Sequence, residues 1–157
     1  MKKLLPIIAC LSISIPAIAE VSVSDCRIRE AIDASDMTAA YLTIINGGTE
    51  AIELKSASID MLSDHIELHN TEMTDGVMKM YPVDTIPLNI NEETKLQPSG
   101  LHIMIMNLKE HPKAGDSYEI KLKLSDDNIL SCDAPVMSLQ DIKGDKHMDM
   151  KHMDMKH

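Results

Sequence analysis

Four residues of this 157-residue chain carry soft, neutral donor atoms at spacings that β-strands can bring together. They are His69, Met80, His102 and Met104, separated in turn by ten, twenty-one and one residues. Side chains at i and i+2 of a strand project from one face. His102 and Met104 therefore share a face, while Leu101, Ile103 and Ile105 take the other. Core packing accounts for the apolar face and leaves the His/Met face free for other work. Zinc prefers thiolate, imidazole and carboxylate, and calcium and magnesium take oxygen. Two imidazoles with two thioethers suit Cu(I) best. A blue-copper electron-transfer centre would add a cysteine thiolate, but Cys132 has no histidine between it and Met137.

His69 and Met80 come together through a hairpin. Thr74-Asp75-Gly76 is a turn signal between 66–71 and 77–83. A four-residue loop pairs 69 with 80, whereas a two-residue Asp75-Gly76 turn pairs 69 with 82 and leaves Met80 a diagonal neighbour. His65 and Glu67 fall on the His69 face, where they either support the ligands from behind or are merely solvated; solvation is the expectation. Met61, Met73, Met78 and Met106 read as ordinary surface or core methionines, although Met78 and Met106 share faces with proposed ligands. His111, before Pro112, reads as incidental.

The elements that must hold these residues are strands. Tyr41–Ile45, Ala51–Ser58, Ile66–His69, Leu101–Met106 and Ser117–Leu124 alternate or are rich in β-branched residues, with Gly, Asn and Asp clusters between them. Arg29 to Ala40 could hold a short helical turn. Six to eight such strands predict an all-β sandwich or barrel over residues 20–138. With no Phe or Trp, the core must be Ile, Leu, Val and Met, and there are thirteen methionines.

The N-terminus predicts export. Lys2 and Lys3 precede an apolar run to Pro16, and Ala17-Ile18-Ala19 suits a signal peptidase, giving a signal peptide over 1–19. The run is too short for a membrane span. Ile8-Ala9-Cys10 comes too early to serve as a lipoprotein box, so Cys10 is expected to leave with the signal. Losing Lys2 and Lys3 makes a formal charge of −10 still more negative. This acidity, with only three aromatic residues, excludes the cationic and stacking surfaces of nucleic-acid binding. It also disfavours anionic membranes.

The C-terminus repeats Lys-His-Met-Asp-Met at 146–150 and 151–155, then begins a third copy. A period of five builds neither helix nor strand face, so 139–157 is expected to be a linker and a disordered tail. His147, Met148, Met150, His152, Met153, Met155 and His157 repeat the donor types of the main set. With Asp149 and Asp154 among them, they offer a hold for Cu(II) as well.

The runs Ile66–His69, Gly76–Met80 and Leu96–Met106 resemble the PCu(A)C family of periplasmic copper chaperones, whose His-x10-Met-x21-His-x-Met pattern falls here on His69, Met80, His102 and Met104. The resemblance spans roughly Val21 to Val136. It implies a cupredoxin-like, immunoglobulin-like Greek-key β-sandwich with an exposed Cu(I) site. It further implies delivery to the copper centres of respiratory oxidases, through an oxidase subunit or another assembly chaperone. Two departures stand out: Cys26-Arg27 where relatives often carry an aromatic residue, and Ser99-Gly100-Leu101-His102 in place of a Gly-Gly-Tyr-His run. The second is expected to alter the rim of the site and so the choice of partner.

After export two cysteines remain, Cys26 and Cys132. In an oxidising compartment they suggest a disulfide; two buried thiols or a second copper site are the alternatives. No nucleophile–base pair, carboxylate pair or open zinc triad can be assembled. The sequence therefore predicts a monomeric periplasmic copper carrier, not an enzyme, with a copper buffer storing metal on its tail as the alternative.

Overall fold

The structure is a computed structural model and describes residues 21–143. Ten strands form within them: β1 (Val21–Arg29), β2 (Thr38–Asn46), β3 (Ile52–Ser58), β4 (His65–Thr74), β5 (Val77–Pro82), β6 (Ile86–Leu88), β7 (Glu93–Leu96), β8 (His102–Met106), β9 (Ser117–Leu124) and β10 (Ile129–Met137). They hydrogen-bond in the order β5-β4-β8-β2-β1-β10-β9-β3-β6, with β7 also on β2. All pairs are antiparallel except β1–β10. The all-β class is as expected. The extra strands are β6 and β7, whose three and four residues are too short to show an alternation. Residues 30–37, where a helical turn was conceivable, form turns and bends between β1 and β2.

One large core joins the two halves of the array. Ile28, Leu42 and Ile44 of β1 and β2, and Leu68, Ile103 and Ile105 of β4 and β8, pack with Leu54, Ile120, Leu122 and Leu124 of β3 and β9. Leu and Ile fill the role that aromatic residues usually take, and Tyr41 is buried outside this cluster.

β1 carries a bulge. Ser24 faces Thr43 and Arg27 faces Tyr41, so two residues oppose one between them, and Asp25 adopts the left-handed conformation at φ 53°. The extra residue changes the phase of the strand. Val21 and Val23 face inward before it, Cys26 and Ile28 after it. This turns Cys26 into the core, where it is disulfide-bonded to Cys132 of β10, 106 residues away. The alternatives of free thiols or a second copper site at these cysteines do not apply.

The linker expected from residue 139 does not begin there. Residues 139–143 form a helical turn. Ser138 caps it, donating to the Asp141 carboxylate at 2.6 Å and accepting from the Asp141 N–H at 3.2 Å. Ile142, only 2% exposed, packs on Ala39 and Tyr41. The pattern was missed because one apolar anchor in a single turn has no periodicity to read. The repeats at 146–157, with the tail ligands proposed above, lie outside the described residues, as does the signal peptide.

Candidate metal centre

The geometry of the site starts at the β4–β5 turn. Asp75 and Gly76 have φ of 52° and 77°, the left-handed pair that a two-residue hairpin turn requires. This selects the tighter of the two registers: His69 faces Pro82, and Met80 faces Thr71. Met80 is thus the diagonal neighbour of His69, not its direct partner.

The other side of β4 makes the closer contact. β4 and β8 pair so that His69 faces His102, Glu67 faces Met104, and His65 faces Met106. The His69 and His102 ring centroids are 5.8 Å apart, with the planes tilted by 53°. Local patterning placed His102 with Met104 and His69 with Met80. The β4–β8 ladder, which no local pattern announces, joins the two halves.

Each imidazole is held by one nitrogen. The His102 Nδ1–H donates to the Gly100 carbonyl at 2.8 Å. That carbonyl also accepts from the Thr71 N–H at 3.1 Å, which ties the 97–101 turn to β4. His69 Nε2 donates to Glu67 Oε2 at 2.9 Å, and Glu67 Oε1 accepts from His65 Nε2 at 3.1 Å. Glu67 therefore bridges two histidines, the supporting role that the sequence left open beside the expected solvated one. The hydrogen bonds from His69 and then His65 hold its carboxyl below the usual carboxylate range.

The remaining nitrogens, His69 Nδ1 and His102 Nε2, are buried and have no hydrogen-bond partner. Buried polar atoms are almost always paired, so two unpaired imidazole nitrogens on facing side chains call for an explanation. In the neutral tautomer that donates at the opposite nitrogen, each of these two presents a lone pair, the form in which imidazole binds a metal. Burial, opposed by the Gly100 bond and reinforced by the charges of His69 and Arg29, lowers the His102 pKa and favours its neutral form.

Met80, Met104 and His102 line an open cavity of about 230 Å³, together with Met78, Leu139 and Ile142. His69 is not among the lining residues; its side chain is 12% exposed. The cavity thus brings together three of the four sequence-predicted ligands, and the ring contact supplies the fourth. The sequence did not single out Met78 as part of this group. Its signal was only the shared face with Met80. Among the described residues, no group of three or more His, Cys, Asp or Glu side chains is arranged to hold a metal. The side chains gathered beside His102 in the cavity include the thioethers of Met78, Met80 and Met104, donors that suit soft ions. None of the described helices is long and apolar enough to cross a membrane.

Solved structures with similar folds include the copper-bound PCuAC domain from PmoF2, with a TM-score of 0.64 and 15% identity over 78% of this chain and 96% of that domain. Apo-DR1885 from Deinococcus radiodurans aligns with a TM-score of 0.57 and 26% identity over 88% and 97%. Its CuI form aligns with a TM-score of 0.53 and 29% identity over 80% of each chain. Among curated sequences, an uncharacterized protein of Rickettsia prowazekii (strain Madrid E) is 37% identical over 92 residues, covering 57% of this chain and 49% of that one. A Leifsonia xyli protein named "Putative lipoprotein" is 29% identical over 103 residues, covering 65% and 61%. The chain therefore spans about half to three-fifths of the length of these curated relatives. Residues 21–136 match the family described as "Putative lipoprotein LpqE-like", and with most of its length inside that match the chain belongs to the LpqE-like family.

Proposed function

We propose that this protein is an exported copper chaperone that holds one Cu(I) through His69 Nδ1, His102 Nε2 and the thioethers of Met80 and Met104. The observation that carries the reading is the pair of buried, unpartnered imidazole nitrogens beside two methionines. A structure of DR1885 with CuI, a chain 29% identical to this one, supports it. Glu67 and the Gly100 carbonyl orient the two rings, as outer-sphere partners of metal-bound histidines commonly do.

The site is built for exchange. Met80 is 51% exposed, and it lines the open cavity together with Met78 and Met104. A carrier needs such access so that a partner's ligands can replace its own one at a time. The physiological acceptor in this reading is a copper centre of a respiratory oxidase, reached directly or through another assembly chaperone, and the protein works as a monomer in the periplasm. Residues 1–19 act as the signal peptide. The family's description as a lipoprotein is in keeping with export, and intact-mass analysis distinguishes a mature chain starting at Glu20 from one lipidated at Cys10. The chain has no catalytic role in this account.

The tail repeats favour a second reading, a copper buffer in which His147, Met148, Met150, His152, Met153, Met155 and His157 are the main store, with Cu(II) held by their imidazoles and the neighbouring Asp149 and Asp154. Copper stoichiometry with and without residues 146–157 separates carrier from buffer. The test of the main reading is Cu(I) affinity by chelator competition for the wild type and for the His102→Ala and Met104→Leu variants. Both variants should bind more weakly while remaining folded, and unchanged affinity in His102→Ala would remove the site.

A further inference from the structure

The β4–β5 hairpin carries more thioether than the proposed site uses. β5 is the edge strand of the array, and all six of its residues are exposed. Core packing therefore explains none of its apolar side chains. Met73, Met78 and Met80 are 64%, 56% and 51% exposed. All three fall on the His69 face of the hairpin, by alternation from His69 on β4 and by the Thr71–Met80 and Met73–Met78 pairings on β5. The opposite face carries Asn70, Glu72, Lys79 and Tyr81 beside Val77, with the Tyr81 hydroxyl linked to Asn70 and Glu72. Both faces meet water, yet only one collects sulfur.

We propose that Met73, Met78 and Met80 form a second, all-thioether site for a soft monovalent cation such as Cu(I), sharing Met80 with the His69–Met104 site. Met73 and Met78 are direct cross-strand partners. A two-residue turn closes on a hydrogen-bonded pair, so the next pair, Met73–Met78, is of the non-hydrogen-bonded kind whose side chains lie closer. Met80 follows two residues after Met78 on the same face, and three flexible thioethers in that arrangement can converge on one ion. Thr71 is the neighbouring residue on this face; the carboxylate that shares it, Glu67, lies beyond His69 and is bound to His69 and His65, and Glu72 points to the other side with Tyr81. Thioether donors without oxygen or charge select d10 cations of Cu(I) type.

The placement gives the second site a purpose that rests on the copper reading above. Met78 lines the same cavity as Met80, His102 and Met104. An ion leaving the imidazoles keeps Met80 while it exchanges His102 and Met104 for Met78 and Met73. It thus reaches the exposed tip of the hairpin without being released as a free ion.

The test uses the full chain labelled with ¹³C at the methionine methyls and titrated with Ag(I), a redox-inert soft cation. Signals are assigned by single Met→Leu variants at these exposed positions. The first equivalent should move Met80 and Met104. Further Ag(I) should move Met73 and Met78 together, and Met78→Leu should abolish the movement of Met73 while leaving that of Met104. Zn(II) should move neither. The proposal is overturned if Met73 and Met78 stay still while Met104 and the tail methionines shift, or if Met73 responds equally in the Met78→Leu protein, or if Zn(II) produces the same shifts. Movement of Met73 and Met78 with Met104 unaffected would uphold this site and remove the His/Met reading instead.

Discussion

His69 and His102 face each other across the β4–β8 ladder with ring centroids 5.8 Å apart, and each ring is fixed through a different nitrogen. His69 is held at Nε2 by Glu67, and His102 at Nδ1 by a backbone carbonyl. The free nitrogens are consequently Nδ1 on one ring and Nε2 on the other. Both are buried where a hydrogen-bond partner would ordinarily be found.

Glu67 should act on the metal only through His69. Glu67→Ala frees the ring to rotate and to change tautomer, so Cu(I) affinity should fall by roughly 10–100-fold, the usual cost of losing such an outer partner. Far-UV circular dichroism should be unchanged, because Glu67 is a partly exposed residue on the outer face. Affinity equal to wild type in a folded Glu67→Ala protein would mean that the bridge to His65 and His69 has no part in the site.

The Cys26–Cys132 bond closes a separation of 106 residues. In the chain-entropy account a loop of that size contributes about 4–5 kcal/mol, a large share of the stability of a small domain whose core lacks Phe and Trp. The paired Cys26→Ala/Cys132→Ala variant should show a urea midpoint lowered accordingly. Alkylation of unreduced exported protein should find neither thiol. A double variant as stable as wild type would contradict this account of the bond.

Much of this was legible in the sequence, for identifiable reasons. Alternation in Leu101–Met106 put His102 and Met104 on one face because side-chain direction in a strand is set locally. The two cysteines pointed to a bond because export limits their fates. What was not legible depends on long-range pairing. The contact between His69 and His102 requires β4 to lie beside β8, and neither strand's own residues encode its neighbour. Met80's diagonal position turned on whether Asp75 would accept a left-handed conformation in a two-residue turn, a choice that local composition left open. Glu67 was misjudged because its partners are its own i±2 neighbours, which a face-counting argument treats as mere company.

Ile142 anchors the helical turn beside the cavity through Ala39 and Tyr41. Ile142→Ala should cost about 2 kcal/mol at the low end of the range for such truncations, since the cluster is small. The loss should be local. The Ile142 N–H, which donates to the Ser138 carbonyl at 3.1 Å, should lose hydrogen-exchange protection, while amides of the central strand β2 keep theirs. Equal loss of protection across β2 would show that the turn is integral to the global fold.

Tyr118 of β9 gives a pH signature outside the candidate site. Burial first, then its hydrogen bond to Glu110 and the charges of Glu110 and Asp116, push its phenol up to about 12 from the ordinary 10.0. The fold holds the proton more tightly than the unfolded chain does. The stability this contributes is complete below the unfolded value and lost as pH rises through the window up to about 12. Urea midpoints should fall more steeply across that window for wild type than for Tyr118→Phe, and parallel slopes would show that Tyr118 is not responsible.

The most direct measurement is anaerobic Cu(I) titration of protein lacking residues 146–157, with X-ray absorption of the sample loaded to one equivalent. The tail's own histidines and methionines are then absent from the signal. The account predicts tight binding of the first ion with two nitrogen and two sulfur neighbours, the nitrogens showing the outer-shell scattering of imidazole, and loss of one such nitrogen in His102→Ala. A first shell of nitrogen and oxygen alone, or no tightly bound ion once the tail is gone, would contradict it.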